Sequence, residues 1–547
     1  MFEKMSRLAI AFNFCISFGI FFGILTSCSH QEKVKNLATD SSAILTPQSF
    51  EWRSYNNDLT SQRFSPLADI NTSNVAHLKQ ICNYDLGEKT MFESGPIVVD
   101  KILYVTTLTN TYALDASNCS LIWKHHSDKD PGKSGLGNNR GAAYADGKIF
   151  RGLNAGYIIA LDAKTGKVLW QTKIINNTRG ESLPAAPVVS QGLVYIGNAG
   201  GDNAGVRGRM MAFDINDGHK VWSFDLVPMK GPGSDTWPKS NTKFPRSGGA
   251  TWVSYSVDEG QGLLYVPVGN AAPDFDIAAR PGKNLYTNSV VILDAKTGAL
   301  KKYYQLTPND FHDWDISTAP VLIKTKGGKN LVIEAAKDGL MHAVDLDTDQ
   351  IMFNTPFATR ENTKTPLSKK PVRFCPGTTG AAVWNGPSYH PKFNALFMNG
   401  SDICNTLQLS PRGSKAVIGN PYTGAIDKEP FGKPDPSDKW KGWVTSIDAD
   451  SGEVNWKYQA ATPLPGAITA TAGGLVFSGD LHGKLFALDA KNGKLLFENN
   501  LDTPIGGGII SYKVEGKQYI AVAAGLNSPH NWGALGKTGK VFIFGLL

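Results

Sequence analysis

The run His312-Asp313-Trp314-Asp315 carries two aspartates, and a carboxylate can take a proton from a hydroxyl or ligate a hard cation. Asn270 follows Gly269 and offers an amide oxygen. In GGDNAGVRG (200–208) Asp202 and Asn203 stand side by side, and the carboxylate is the better ligand for a hard cation. Arg140 in NNRGAAY brings a guanidinium fork matched to carboxylates, and Lys337 in AAKDG a second positive charge. Glu93 lies in FESGP, and Trp252 in GGATW offers a large flat face. Taken singly, each has an ordinary structural use: Asn in a turn, Trp in a core, Asp at a cap, Arg or Lys facing solvent.

The elements that must position these residues repeat along the chain. An apolar strand, Ala/Leu-x-Asp, a turn and a strand ending on an aromatic appear as ALDASNCSLIW (113–123), ALDAKTGKVLW (160–170) and AFDINDGHKVW (212–222). They return as ILDAKTGALKKYY (292–304), AVDLDTDQIMF (343–353), SIDADSGEVNW (446–456) and ALDAKNGKLLF (487–497). Asp and Gly suit a tight hairpin turn, and the aromatic can fill the seam to a neighbouring sheet. A blade of a propeller takes ~40–50 residues. The 103 residues between Asp345 and Asp448 therefore predict a degenerate blade around 389–399, making eight with the seven visible units. The expectation is an all-β, eight-bladed β-propeller of four-stranded antiparallel blades over residues 50–547. Short, alternating, β-branched stretches such as LVYIG (193–197) exclude a helical solenoid. Loops of many blades meet at the central channel of such a ring, so a site should draw on the whole chain.

The N-terminus sets the expected compartment. Lys4 and Arg7 precede an apolar run from Leu8 to Leu25, then Leu25-Thr26-Ser27-Cys28. That order describes a lipoprotein export signal over 1–27 with an acylated Cys28, followed by a polar linker over 28–49. The chain is expected at a bacterial membrane, on the periplasmic or outer-membrane side. Beyond Cys15 and Cys28, four cysteines remain in an oxidising compartment. Four allow three connectivities, and sequence proximity favours Cys82–Cys119 and Cys375–Cys404. The net charge of +7 is spread rather than clustered, which argues against a nucleic-acid partner.

The segment 269–315, GNAAPDFDIAARPGKNLYTNSVVILDAKTGALKKYYQLTPNDFHDWD, resembles the central stretch of quinoprotein alcohol dehydrogenases. The family pattern is roughly G-N-P-x-P, then R-P-G-D-N-L-Y-T, then T-P-H-D-x-W-D, and the likeness runs from about Trp52 to the C-terminus. It implies pyrroloquinoline quinone (PQQ) and Ca²⁺ as cofactors, and hydride transfer from an alcohol or sugar hydroxyl to the quinone. It implies that Glu93, Arg140, Trp252 and Lys337 bind the quinone and that Asn270 and Asp202 or Asn203 ligate the metal. Asp315 matches the catalytic base close to the metal, with Asp313 a second candidate because the spacing of HDWD is altered. The implied partners are a small or polymeric alcohol, an external electron acceptor (cytochrome c or a quinone, since no haem motif occurs) and a membrane reached through the lipid on Cys28.

Ser134 and Gly135 stand where the family often has adjacent cysteines, and Pro184 where it often has a quinone-bonding Thr. The repeat alone is also similar to that of lipid-anchored propellers that scaffold outer-membrane assembly without a cofactor. That alternative, like a cofactor-free carbohydrate-binding propeller, does not require the 269–315 segment, Trp252 or Arg140.

Overall fold

The computed structural model describes residues 50–547 except 131, 133–136, 242 and 530. The expected signal, Cys28, the linker, Ser134 and Gly135 lie outside the described residues. Among the described residues the helices are three-residue 3₁₀ turns, and none is long and apolar enough to cross a membrane.

Among the described residues ten sheets form, and eight contain a four-stranded antiparallel meander. Seven run in chain order over 97–126, 143–173, 188–225, 256–305, 321–356, 388–460 and 469–500. Each holds one of the seven Asp-containing turns between its third and fourth strands. Asp162 shows why the turn needs its carboxylate: Oδ1 accepts the backbone N–H groups of Lys164 and Thr165 and the Thr165 hydroxyl. The closing aromatic then lies on the turn of the following sheet. Trp222 donates its indole N–H to Ala295 O at 3.0 Å, and Trp123, Trp170 and Trp456 do the same to Ala163, Ile215 and Ala490. A Cβ on Gly298, whose φ is +72°, would lie 2.6 Å from the Trp222 ring. The turn glycine therefore serves both the backbone conformation and the neighbour's indole.

The eighth four-stranded sheet corrects the sequence reading. It is not in the 103-residue gap but joins the two ends of the described body: Lys79–Asp85 pairs antiparallel with Lys540–Gly545, beside Lys517–Ala524 and Ile509–Val514. Its outer strand comes from the other end of the chain, so no Asp-Gly turn exists there to be read. Cys82 in that strand is bonded to Cys119 in the first sheet's turn. Closing so long a loop removes roughly 3–4 kcal/mol of chain entropy from the unfolded state. Residues 389–399 instead supply the first two strands of the 388–460 sheet, Ser388–His390 and Ala395–Asp402. The rest of the gap is a long excursion carrying a small sheet of Val372–Phe374, Asn405–Leu407 and Lys433–Pro434, stapled by Cys375–Cys404.

Gly298→Ala should lower stability by about 2 kcal/mol or more, through left-handed strain plus a clash with the Trp222 indole. Urea denaturation measures this, and an unchanged midpoint would contradict the stacked seam.

Candidate active site

In a four-stranded meander, the link entering the first strand and the link joining second to third strand lie at one end. The Asp-Gly turns lie at the other. Glu93, Arg140, Trp252 and the 313–315 pair precede the first strands of the sheets at 97–126, 143–173, 256–305 and 321–356. Asp202, Asn270 and Lys337 sit in second-to-third links. Every site residue expected from the sequence thus emerges at the same end of its sheet.

Carboxylate oxygens of Asp202, Asp274 and Asp313 all lie within 4.8 Å of one another. Asp274 is fully buried, and neither of its oxygens has a hydrogen-bond partner; the same is true of Asp313 Oδ1. Asp313 also holds a left-handed backbone, φ 65°, uncommon outside glycine and costly unless the surroundings fix it. Lys337 Nζ lies 2.8 Å from Asp315 Oδ2 and 3.2 Å from Asp313 Oδ2. The other Asp315 oxygen accepts the Asn270 backbone N–H at 2.8 Å. Gly269 makes room for this, since a Cβ there would approach Asp315 Oδ1 to 2.3 Å.

Burial, with the nearby charge of Asp315, pushes the Asp202 carboxyl up to about 6. Burial raises Asp274 and Asp313 well above the usual aspartate range, with neighbouring carboxylates adding to it. Burial opposes the charge on Lys337, yet Asp313 and Asp315 hold its ammonium above the ordinary value. Buried carboxylates with unpartnered oxygens fit a hard cation, which would supply the positive charge they lack.

Beside this cluster, the Arg140 guanidinium lies 4.8 Å from the centre of the Trp252 ring, and Lys337 Nζ lies 5.7 Å from it. Arg140 donates to Trp252 O at 3.1 Å and pairs with Glu93 at 2.9 Å, and Asn138 donates to the same Glu93 oxygen. Its backbone N–H goes to Pro184 O, while its Nε has no partner. Tyr55 and Trp384 pack behind Trp252. A flat indole flanked by two cations fits a planar anionic ring such as PQQ.

The excursion found in the gap holds the cluster from outside. Tyr422 N–H donates to Asp202 O, Ala204 N–H to Asn420 O, and Phe275 N–H to Thr423 O. Trp314, between the two aspartates, donates its indole N–H to Pro376 O at 3.2 Å, one residue from Cys375. His312 stacks on Trp314 at 4.0 Å between ring centres and meets Phe374 edge-on at 4.7 Å. Phe275, Trp314, Phe374, Leu407 and Ala425 form one buried apolar cluster. All three carboxylate loops are therefore tied to the disulfide-stapled excursion.

The geometry distinguishes the candidate ligands from one another. Asp313 belongs to the three-carboxylate cluster, and Asp315 has a partner on each of its oxygens. Asn203 directs its amide N–H at Gly180 O, 3.3 Å away, while its neighbour Asp202 joins the cluster. Asp274 was missed. The first block of the family pattern ends at Pro273, one residue short of it, and an Asp between blocks gives no sign of burial.

A profile described as the glucose/ethanol/alcohol dehydrogenase β-propeller domain, of PQQ type, matches residues 52–355. The chain belongs to this family. As one of its dehydrogenases it is 31% identical over 552 residues to the dehydrogenase subunit of a quinone alcohol dehydrogenase of Acetobacter aceti, covering 89% of this chain and 73% of that protein. It is 28% identical to a lanthanide-dependent methanol dehydrogenase of Methylacidiphilum fumariolicum (strain SolV), over 96% and 91%. The solved structure of a europium-containing methanol dehydrogenase superposes with TM-score 0.81 at 27% identity, over 91% of this chain and 98% of that one. A second profile, outer membrane protein assembly factor BamB, matches 440–530, a stretch that contains none of the site residues. The dehydrogenase likeness includes all of them, so the scaffold alternative is not favoured.

A cation binds the ionised carboxylate, and protons compete for it. Affinity should therefore fall as pH drops through about 6, the value at Asp202. In the cation-free chain the linkage runs the other way: a raised carboxyl stabilises the fold fully below its unfolded value, and this is lost as pH rises through about 6. Calorimetric cation titration at about pH 8 and about pH 5 checks the first statement, and equal affinities would contradict it.

Proposed function

We propose that this dehydrogenase oxidises an alcohol or sugar hydroxyl using PQQ and a bound hard cation, and passes the electrons to an external cytochrome c or quinone. The eight four-stranded sheets are, in this reading, blades of one eight-bladed propeller closed by pairing of Lys79–Asp85 with Lys540–Gly545. Cys28 carries the lipid that tethers it to the membrane. The observation that carries the function is the convergence of Asp202, Asp274 and Asp313, with both Asp274 oxygens and Asp313 Oδ1 unpartnered, beside Trp252 and its two cations.

When bound, PQQ supplies the hydride acceptor and the cation supplies Lewis acidity. Trp252 offers the stacking face, and Arg140, oriented by Glu93, offers charge to the cofactor's carboxylates. Asp202, Asp274 and Asp313 would hold the cation, and the Asn270 amide oxygen is a further ligand expected from the resemblance. Calcium is the sequence's expectation; two of the relatives are named for a lanthanide and for europium. Asp313 accepts the hydroxyl proton at Oδ1, the oxygen without a partner. Asp315 orients Lys337 and the Asn270 backbone through its two oxygens and is a positioning residue.

The test is dye reduction by the full chain loaded with PQQ and cation, across small and polymeric alcohols. Asp313→Asn should lower kcat by roughly 10²–10⁴-fold, and Trp252→Ala should weaken PQQ binding measured by absorbance. Full turnover by Asp313→Asn would overturn its role, and no PQQ binding by the parent chain would overturn the function.

A further inference from the structure

We infer that Tyr55 is a positioning residue for the quinone site: its ring is the wedge that sets the loops of Glu93, Arg140 and Trp252 against one another. The inference rests on the proposed cofactor-bound reading and deepens it. Tyr55 is buried, near the start of the described chain and well before those loops in sequence. The Glu93 and Arg140 loops meet where Gly95 N–H donates to Arg140 O at 2.8 Å, and the Tyr55 ring covers that junction. A Cβ on Gly95 would lie 2.6 Å from Tyr55 Cε2, and one on Gly141 would lie 3.3 Å from Tyr55 Cδ2. The ring also packs with Ala186, Val253 and Trp384, and Trp252 lies against that cluster. Those residues stand in the links entering the sheets at 188–225, 256–305 and 388–460, so one side chain touches loops from separate sheets.

The strap that carries Tyr55 is itself fixed by the sheets. From Trp52 to Ser65 its backbone bonds to one first strand after another. Trp52 O accepts Val98 N–H, Leu59 O accepts Val257 N–H, Thr60 O accepts Leu322 N–H and Gln62 O accepts Tyr389 N–H. Phe64 and Ser65 then pair in parallel with Ala470 and Thr471. Arg63, with no exposed surface, donates to Tyr55 O at 3.4 Å and to Asn56 Oδ1 at 2.7 Å. Its guanidinium lies 5.9 Å from the centre of the Tyr55 ring. Tyr55 is therefore pinned through both its backbone and its ring.

A shelf made from an indole and a guanidinium on different sheets works only if both are in place before the cofactor arrives. Arg140 is held by Glu93 and by Trp252 O, but these partners sit on loops that need fixing themselves. Close packing around a rigid ring supplies that. The Tyr55 hydroxyl has no hydrogen-bond partner among the described residues, so the ring rather than the oxygen does the positioning.

The experiment uses the full chain, with PQQ affinity followed by absorbance and the cofactor-free packing by hydrogen exchange of the Gly95 amide. Tyr55→Phe should bind PQQ within about 2-fold of the parent, whereas Tyr55→Ala should bind it roughly 10–100-fold more weakly. Gly95 N–H should exchange at least ~10-fold faster in Tyr55→Ala. Phe64→Ala removes another aromatic of the strap, one that packs where the 388–460 and 469–500 sheets meet. It should lower the unfolding midpoint and leave PQQ affinity and Gly95 exchange unchanged. If thermal unfolding shows that Tyr55→Ala does not fold, Tyr55→Leu, which keeps apolar bulk without the flat ring, takes its place with the same expected losses. Parental PQQ affinity without the ring, an equal loss in Phe64→Ala, or a loss in Tyr55→Phe overturns this inference alone. No PQQ binding by the parent chain overturns it together with the reading on which it rests.

Discussion

Like charges repel, and this protein gathers three carboxylates, two buried and one half-buried, within a few ångströms of one another. Left to itself, such a trio would part, admit water or take up protons. Burial and mutual repulsion push these carboxyls upward, which expresses that tension. The rest of the molecule can be read as the apparatus that keeps them together until a cation provides the missing charge.

Three levels of structure do this. Antiparallel meanders return the chain repeatedly to one end, so residues far apart in sequence emerge side by side. Indole-on-glycine seams such as Trp222 on Gly298 fix each sheet against the next. The stapled excursion then ties the Asp202, Asp274 and Asp313 loops to one another through Tyr422, Thr423 and Pro376. The strained backbone of Asp313 is tolerated because His312 and Trp314 on either side are packed against Phe374.

Much of this was legible in the sequence, for identifiable reasons. The Asp-x-Gly turns and their aromatics are local signals, and they located seven of the eight four-stranded sheets. The eighth was misplaced because its outer strand is separated from its partner by nearly the whole chain, and no local pattern announces such a pairing. Both disulfides follow sequence proximity. At the site, Trp252, Arg140, Glu93 and Lys337 were found through resemblance, and they do lie together. Which of Asp313 and Asp315 faces the cluster was not readable, because two positions apart on one loop they differ only in the partners that folding gives them. Asp274 had no signal beyond its type, since its distinguishing property, a complete lack of donors, exists only in three dimensions.

The central claim is that loops from separate sheets converge on one cation. Anomalous diffraction from crystals of the full chain grown with lanthanum or calcium tests it most directly. The account predicts one strong peak with oxygens of Asp202, Asp274 and Asp313 at about 2.3–2.6 Å, the distance expected for a hard cation of this size. A cation found only at the exposed Asp214–Asp217–His219 turn, with the carboxylate trio unliganded, would contradict it.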